Sequence, residues 1–547
     1  MAYLVYNIDD SAKRVHIGAA PITVGRQVGN LITLKGDDLI SRFHAQFERR
    51  GEDIWVKDMG SRNGTRVNGK VVVEWKLKPG DVITIGKTAF TLTGEQQTIP
   101  ANTPAAREPE RFEVASEAAG VAPARALAHL AASLPNKPFE QSDIVLMDAK
   151  GRVSHDVWRQ GDEVPAEAVT LLRLILLVSF RTRASDIHIE PRNDGASVRI
   201  RVDGGMVEVC KLKKETFTRL ISLVKVLCEI DLSPRNQVQE GSFNARVPDR
   251  RVDYRVSFSP SLHGQKLVMR VLDAANAPRY LWDLNLPDPM FRELERSMRR
   301  DSGMILVCGP TGSGKTSTLY SVLRTIDATE RNVVTIEDPI EIQIENVTQM
   351  PVDEDHGNSF PNLLRSVLRQ DPDVILVGEI RDQETAKVAM QAAMTGHLVF
   401  STVHSKDTVG SVFRLLDLGL EPFLVASGLQ NLLAQRLVRT LCPFCKSPSS
   451  PSEDQLREMG SEHASLQTIY VPNGCARCLG TGFAGRRGVF ELLSVTDELR
   501  EAVQRQNQTD IMAAARKAVY KTLKQSGYTL VAQGLTTFDE VDRVVGG

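Results

Sequence analysis

An excess of charge of either sign is the first thing this sequence lacks. Its 547 residues hold 67 Lys and Arg against 68 Asp and Glu, a net charge of -1. With so little net field, nothing pulls the whole chain toward nucleic acid. Long hydrophobic runs are missing as well. The longest apolar stretch, Leu171 to Phe180, is too short to cross a bilayer and carries Arg173. Met1-Ala2-Tyr3-Leu4 has neither the basic nor the apolar region of a signal peptide. Cysteine is sparse, seven in the whole chain, which excludes a disulfide framework. These absences predict a soluble, cytoplasmic protein with no direct nucleic-acid contact, whose membrane roles come only through partners. The 42% hydrophobic and 25% charged content is that of core-forming globular protein, and the length predicts three or four domains.

What is present begins with Gly309-Pro310-Thr311-Gly312-Ser313-Gly314-Lys315-Thr316, which fits G-x-x-x-x-G-K-[ST]. The apolar run Met304–Cys308 before it reads as a buried strand, and the Gly- and Pro-free run Thr316 to Ile326 after it reads as a helix. In that setting the glycines let backbone N–H groups turn inward around a triphosphate, aided by the helix N-terminus. Lys315 can then reach the β- and γ-phosphates, and the Thr316 hydroxyl can ligate Mg²⁺. The segment predicts binding of a nucleoside triphosphate.

Composition divides the chain into six stretches. Residues 1–95 carry short β-like runs separated by Gly, Asn and Asp turns, the pattern of a small β-sandwich. Residues 96–164 are linker or uncertain; Gln96 to about Ala124 is rich in Ala, Pro and Glu and reads as flexible. Residues 165–273 alternate helix and strand, with a helix at Pro165–Thr182 and strands at Ile187–Ile189 and Ser197–Val202. The nucleotide core spans 274–440, a cysteine-bearing insert 441–495, and a helical region 496–547.

Within the first stretch stand Gly25-Arg26, Ser41-Arg42-Phe43-His44 and Gly60-Ser61-Arg62-Asn63-Gly64-Thr65. Their order and β-rich setting resemble a forkhead-associated (FHA) domain. Arg and Ser side chains on loops suit a phosphate held by charge-assisted hydrogen bonds. The resemblance implies that Arg26, Ser41, Arg42, Arg62 and Asn63 hold a phosphothreonine peptide and that His44 braces the loop. The alternative is a fold that keeps its scaffold glycines without binding phosphopeptide.

After the P-loop come Val333-Val334-Thr335-Ile336-Glu337-Asp338-Pro339-Ile340-Glu341, then Asp371 to Asp382 with Glu379 ending an apolar strand, then Gly396 to His404 framed by His397 and His404. Phosphoryl transfer to water needs a metal-orienting carboxylate, a base for the water and sensors of the γ-phosphate. These strands supply all three. Their order resembles the secretion ATPases of type II secretion and type IV pilus assembly, from about Pro165 onward. The resemblance implies Glu341 as general base, ranked above Glu337, with Glu379 on the Mg²⁺ side and His397 and His404 sensing the γ-phosphate. It also implies a RecA-like ATP-hydrolysing core, a homohexamer with nucleotide between the lobe and the core, and partners in an inner-membrane platform and adaptor. Upstream, Arg199 and Arg201 share one face of a strand. The resemblance makes them arginine fingers, and the competing reading pairs them with Asp203 or Glu208. Where the family usually reads Pro-Gln-Asp-Gly-Arg, this chain has Gln237-Val238-Gln239-Glu240-Gly241-Ser242, so an arginine is missing at Ser242.

Cys442-Pro443-Phe444-Cys445 and Cys475-Ala476-Arg477-Cys478 form two C-x-x-C pairs, a set suited to one closed tetrahedral Zn²⁺ site. Cys210, Cys228 and Cys308 sit in apolar settings and read as core. The same double pair occurs in secretion and pilus-extension ATPases and is typically absent from retraction relatives, so the resemblance points to assembly. The expected protein is therefore multidomain: an all-β FHA sandwich, an α/β lobe, and a P-loop α/β ATPase core with a zinc-binding insert and C-terminal helices. Its expected task is to power secretion or pilus assembly, docked or regulated through phosphothreonine. A motor for DNA uptake or conjugation, and a phosphopeptide scaffold with a slow or silent ATPase, remain as other readings.

Overall fold

The computed structural model describes residues 3–8, 11–16, 22–26, 32–34, 39–41, 44–50, 53–78, 80–93, 115–116, 122–135, 139–153, 166–233, 236–273, 275 and 278–546. Two compact units result, residues 1–107 and 108–547. The first is a sandwich of two β-sheets. One is six-stranded, with the strands in the order 11–16, 3–8, 88–93, 82–85, 65–67 and 70–72. The other is five-stranded, in the order 32–33, 22–25, 45–50, 53–58 and 74–77. Period-two patterning builds the interior: Ile54 and Val56 alternate inward on one sheet, Ile83 and Ile85 on the other. Phe90 ties the layers, with its ring centroid 4.8 Å from Tyr6 and 5.8 Å from Phe47.

The second unit begins with a lobe built on an eight-stranded sheet. Its strands follow the order 115–116, 205–213, 195–202, 186–192, 264–272, 250–261, 239–247 and 145–147. Helices Pro123–Ser133, Ala166–Thr182 and Lys214–Leu227 bury Leu127, Leu172, Ile175 and Leu220 with the sheet's Ile187, Val198 and Phe258 in one continuous core. The lobe therefore starts earlier than composition suggests. Ala115–Ser116, inside the stretch read as flexible linker, is a strand parallel to Cys210–Lys211, and Pro123–Ser133 is a packed helix. A two-residue strand has no period of its own; pairing with strand 205–213 makes it one. The linker residues 94–114 lie outside the described residues.

The motor core is a seven-stranded sheet in the order 348–351, 333–337, 374–377, 398–403, 303–308, 429–441 and 483–494. It is parallel except for the last pair. Strands 303–308, 333–337, 374–377 and 398–403 are buried along their whole length, as befits a sheet covered on both faces. Four helices, Asp497–Arg505, Gln508–Ala518, Leu523–Ala532 and Phe538–Val545, close the chain. No helix among the described residues is long and apolar enough to cross a membrane.

Candidate functional site

A parallel sheet collects loops at the C-terminal ends of its strands, where ligands bind. Strand Gly303–Cys308 delivers the P-loop there, and helix Lys315–Thr325 leaves from it with Gly314 as its N-cap. Two glycines are required by geometry. Gly309 (φ 153) has no room for a Cβ, which would stand 2.6 Å from the Gln435 carbonyl, and Gly314 (φ 91) would clash with the Gln435 side chain at 2.7 Å. The Lys315 ammonium donates to the carbonyls of Gly309 (2.8 Å) and Pro310 (3.1 Å), curled over its own loop. Burial destabilises that ammonium and the neighbouring Glu379 supports it, with a net lowering of its pKa. The Ser313 hydroxyl is buried without a partner among the described residues, a donor that a phosphate oxygen would satisfy.

The cleft in front of the loop holds about 590 Å³. Thr311, Gly312, Lys315 and Thr316 line one side, and Glu337, Glu341, Glu379, Arg381 and His404 line the other. Glu379 follows strand Val374–Val377, pairs with Arg381, and lies 3.7 Å from the Nε2 of His404. Burial, then repulsion from Lys315, lowers the His404 pKa, which leaves a neutral imidazole at pH 7 with one N–H to give. Thr316 and Glu379 together offer the hydroxyl and carboxylate oxygens that suit Mg²⁺.

The two acidic-box carboxylates have different surroundings. Glu337 is 4% exposed and fully engaged, accepting from the Tyr320 hydroxyl, from Thr335 Oγ1 at 2.5 Å and from Gln349 Nε2 at 3.0 Å. The Glu341 side chain is 40% exposed and pairs with Arg255, 3.7 Å away. Glu341 is thus the carboxylate free to take up a water.

His397 does not join this group. It precedes strand Leu398–Val403, its ring Nδ1 lies 3.0 Å from the Ala392 carbonyl, and its own carbonyl accepts the Gly303 N–H at 3.1 Å. A six-residue strand separates it from His404, about 20 Å at the usual rise. Of the two histidines expected to sense the γ-phosphate, His404 lines the cleft and His397 does not. A strand has two ends, and only the residue after it reaches the ligand side.

The four cysteine sulfurs converge. All lie within 4.8 Å of one another and all four residues are buried. Cys475 and Cys445 approach Cys478 at 3.7 and 3.8 Å. That matches the separation of about 3.8 Å that four thiolates take around a tetrahedral ion with 2.3 Å bonds. Backbone N–H groups of Cys475 and Gly482 donate to Cys478 Sγ, each at 3.2 Å. Burial opposes the Cys478 thiolate, but these donors outweigh it and lower the pKa. Geometry and donor set fit a closed structural Zn²⁺ site.

In the β-sandwich, the predicted phosphate loops meet. The Arg26 N–H donates to the Ser41 carbonyl (3.0 Å), and the Arg62 N–H donates to the Ser41 hydroxyl oxygen (2.9 Å). Asn63 Nδ2 ties back to the Leu39 carbonyl at 2.7 Å. Behind them His44 is wholly buried, with Nδ1 accepting the Ser41 N–H (3.1 Å) and Nε2 lying 3.3 Å from the Gly64 carbonyl. Asp58 accepts from Ser61 Oγ (2.6 Å) and Thr65 Oγ1 (2.7 Å), and so pins the second loop. The Arg26 side chain is exposed. Arg42 lies outside the described residues.

A family described as "Type II/IV secretion system protein" matches residues 162–543, and one described as "FHA domain" matches residues 22–86. The chain belongs to the type II/IV secretion ATPase family and carries an N-terminal FHA domain. It is 41% identical over 411 residues to the Type II secretion system ATPase E of Vibrio cholerae, covering 73% of this chain and 82% of that one. It is 38% identical over 405 residues to the Type IV pilus assembly ATPase PilB of Thermus thermophilus, covering 74% of this chain and 46% of PilB. In fold it resembles the Legionella pneumophila ATPase DotB, with a TM-score of 0.51 at 21% identity over 68% of this chain and 94% of that one.

In this secretion ATPase the lobe arginines divide differently from expectation. Arg199 pairs with Glu190 at 3.0 Å and Arg201 with Asp186 at 3.4 Å, carboxylates of their own sheet, and neither lines the cleft. Glu208, opposite Arg199 in the register, accepts from Ser197 Oγ at 2.6 Å instead, and Asp203 accepts from the Gly485 N–H. The lobe arginine that approaches the cleft is Arg255, directly opposite Ser242 in the strand register. Arg486 of the edge strand lines the cleft too. Sequence reasoning missed both. Arg255 is one of three arginines on its strand, and Arg486 lies far from any nucleotide motif.

Proposed function

We propose that this protein is the ATP-hydrolysing motor of a type II secretion or type IV pilus assembly machine, docked or regulated through a phosphothreonine protein. The observation that carries the motor reading is the convergence of P-loop, Glu341, Glu379 and His404 on one cleft that Arg255 of the lobe overlooks. Lys315 binds and orients the β- and γ-phosphates. Glu341 takes the proton of the attacking water, and neutral His404 donates to the γ-phosphate. Held by Thr316 and Glu379, Mg²⁺ would neutralise phosphate charge. A ring of six copies would work at the cytoplasmic face of the inner membrane against a platform protein, with Zn²⁺ on the four cysteines. The 82% coverage of the Vibrio cholerae protein against 46% of PilB favours type II secretion.

The FHA reading rests on the exposed Arg26 beside the Ser41–Arg62 contact. A phosphate of nearly two negative charges meets a guanidinium there, a pairing worth about 1.5–3 kcal/mol. Steady-state ATPase of the full chain should vanish in Lys315→Ala. Titration with phosphothreonine peptides should show binding that Arg26→Ala removes and unphosphorylated peptides never show. Wild-type turnover in Lys315→Ala would refute the motor reading. Equal affinity for both peptide forms would refute the other.

A further inference from the structure

The four-cysteine loop reaches beyond its own small core. Leu479, the residue after Cys478, is 4% exposed, and it joins the hydrophobic core of the N-terminal lobe together with Leu127, Ala131 and Ile175. Helix Pro123–Ser133 of the lobe packs on the turn Ala476–Cys478 that carries it. A leucine at φ 53 is uncommon, so packing rather than backbone preference puts the side chain there. The loop around it is tight. The Gly480 N–H donates to the Cys475 carbonyl (2.9 Å), and a Cβ on Gly474 would stand 2.5 Å from the Gly480 carbonyl oxygen. Leu479 and the cysteines therefore move as one piece.

A second contact lies a few residues on. Asp203 sits in the turn between lobe strands 195–202 and 205–213, and its Oδ2 accepts the Gly485 N–H at 2.6 Å. Arg486 Nε is 3.8 Å from the other oxygen, and the Asp203 side chain is 11% exposed. Strand Phe483–Ser494 continues from this point alongside Leu429–Leu441, whose Gln435 bonds Thr318 of the P-loop helix at 2.6 Å. The lobe turn, Arg486, Gly314 of the P-loop and Ser317 of the helix after it line a cavity of about 360 Å³ that adjoins the nucleotide cleft.

We infer that Leu479 and Asp203 are positioning residues of the ATP site. The cysteine loop and the start of strand 483–494 dock the lobe on the core at two points, one apolar and one polar. Strand 250–261, which carries Arg255, belongs to the same sheet as the strands flanking Asp203. With both contacts made, the sheet is held so that Arg255 overlooks Glu341. With either lost, the lobe spends less time in that position and turnover falls with the docked fraction. The inference rests on the ATPase reading above and is independent of which metal the cysteines hold.

The test uses the full chain with Leu479→Ala and, from the opposite side of the contact, Asp203→Ala. Zinc content, steady-state ATPase and hydrogen–deuterium exchange are measured together. Both variants should keep wild-type zinc, lose about tenfold in kcat and stay within about threefold in KM, because the P-loop is untouched. Exchange should rise in helix 123–133 and in turn 202–205 in both variants, although each alters only one contact. Leu479→Met should restore protection and rate. Unchanged exchange and kcat in zinc-replete variants would overturn the inference. So would a loss in Leu479→Ala that comes with zinc loss and is not reproduced by Asp203→Ala. Should the wild type hydrolyse no ATP, the ATPase reading fails, while the paired exchange response still decides the dock.

Discussion

Replacing Glu341 and Glu337 by Gln, one at a time, should separate two jobs that neighbouring carboxylates share in the sequence. Glu341 is 40% exposed, and its pairing with Arg255 spans 3.7 Å. An exposed pair of that kind is worth less than about 1 kcal/mol, so nucleotide Kd should move by less than about fivefold and Tm by less than about 4 °C. If Glu341 is the base, its loss should cost roughly 10²–10⁴ in kcat. That corresponds to about 3–5 kcal/mol on the barrier. Glu337 is different: 4% exposed, it accepts from Tyr320, Thr335 and Gln349. An amide NH₂ in place of one oxygen sets a donor against a donor, a cost of about 1–3 kcal/mol. At 2–4 °C per kcal/mol for a large domain, Tm should drop by roughly 2–10 °C. Single-turnover hydrolysis, fluorescent-nucleotide titration and thermal melts on both variants decide the matter. A Glu341→Gln protein hydrolysing at the wild-type rate, beside a Glu337→Gln protein of normal Tm that hydrolyses nothing, would refute the assignment.

Two further outcomes follow from other parts of the molecule. Elemental analysis should find one Zn²⁺ per chain, lost in Cys442→Ser along with stability, because structural zinc contributes folding free energy directly. Glu540 answers to acid. Burial alone would raise its carboxyl, but Arg543 (2.6 Å) and Arg439 (2.7 Å) outweigh that and hold it from 4.5 down to about 2. The unfolded chain then takes up the proton first as pH falls. The contribution, up to about 3 kcal/mol, is full above pH 5 and drains away toward pH 2. Urea melts at pH 7 and pH 3 should therefore differ less in Glu540→Gln than in the wild type.

Local pattern made much of this protein legible. The P-loop, the strand-end carboxylates and the paired C-x-x-C motifs declare themselves because each needs particular residues at short spacing. The β-sandwich of the first 95 residues shows in period-two runs for the same reason: alternation is a property of a single strand. The order of these motifs along the chain was enough to name a family.

What depends on residues far apart stayed hidden until the chain was folded. His397 and His404 look equivalent in sequence, and only the direction of a parallel strand puts one on the ligand side and the other at the far edge. Arg199 and Arg201 share a face as the period requires, but antiparallel pairing hands them to Glu190 and Asp186 and leaves Arg255 to approach the cleft. Ala115–Ser116 carries no strand signal and becomes a strand only because a sheet edge offers it hydrogen bonds. Leu479 reads as a loop residue beside a cysteine and is part of the lobe's core. Sequence by itself determined which chemistry the chain can perform, since that is written in residue types a few positions apart. Tertiary structure decided which copies of those residues reach the cleft, since partners in burial, pairing and charge are chosen across hundreds of residues.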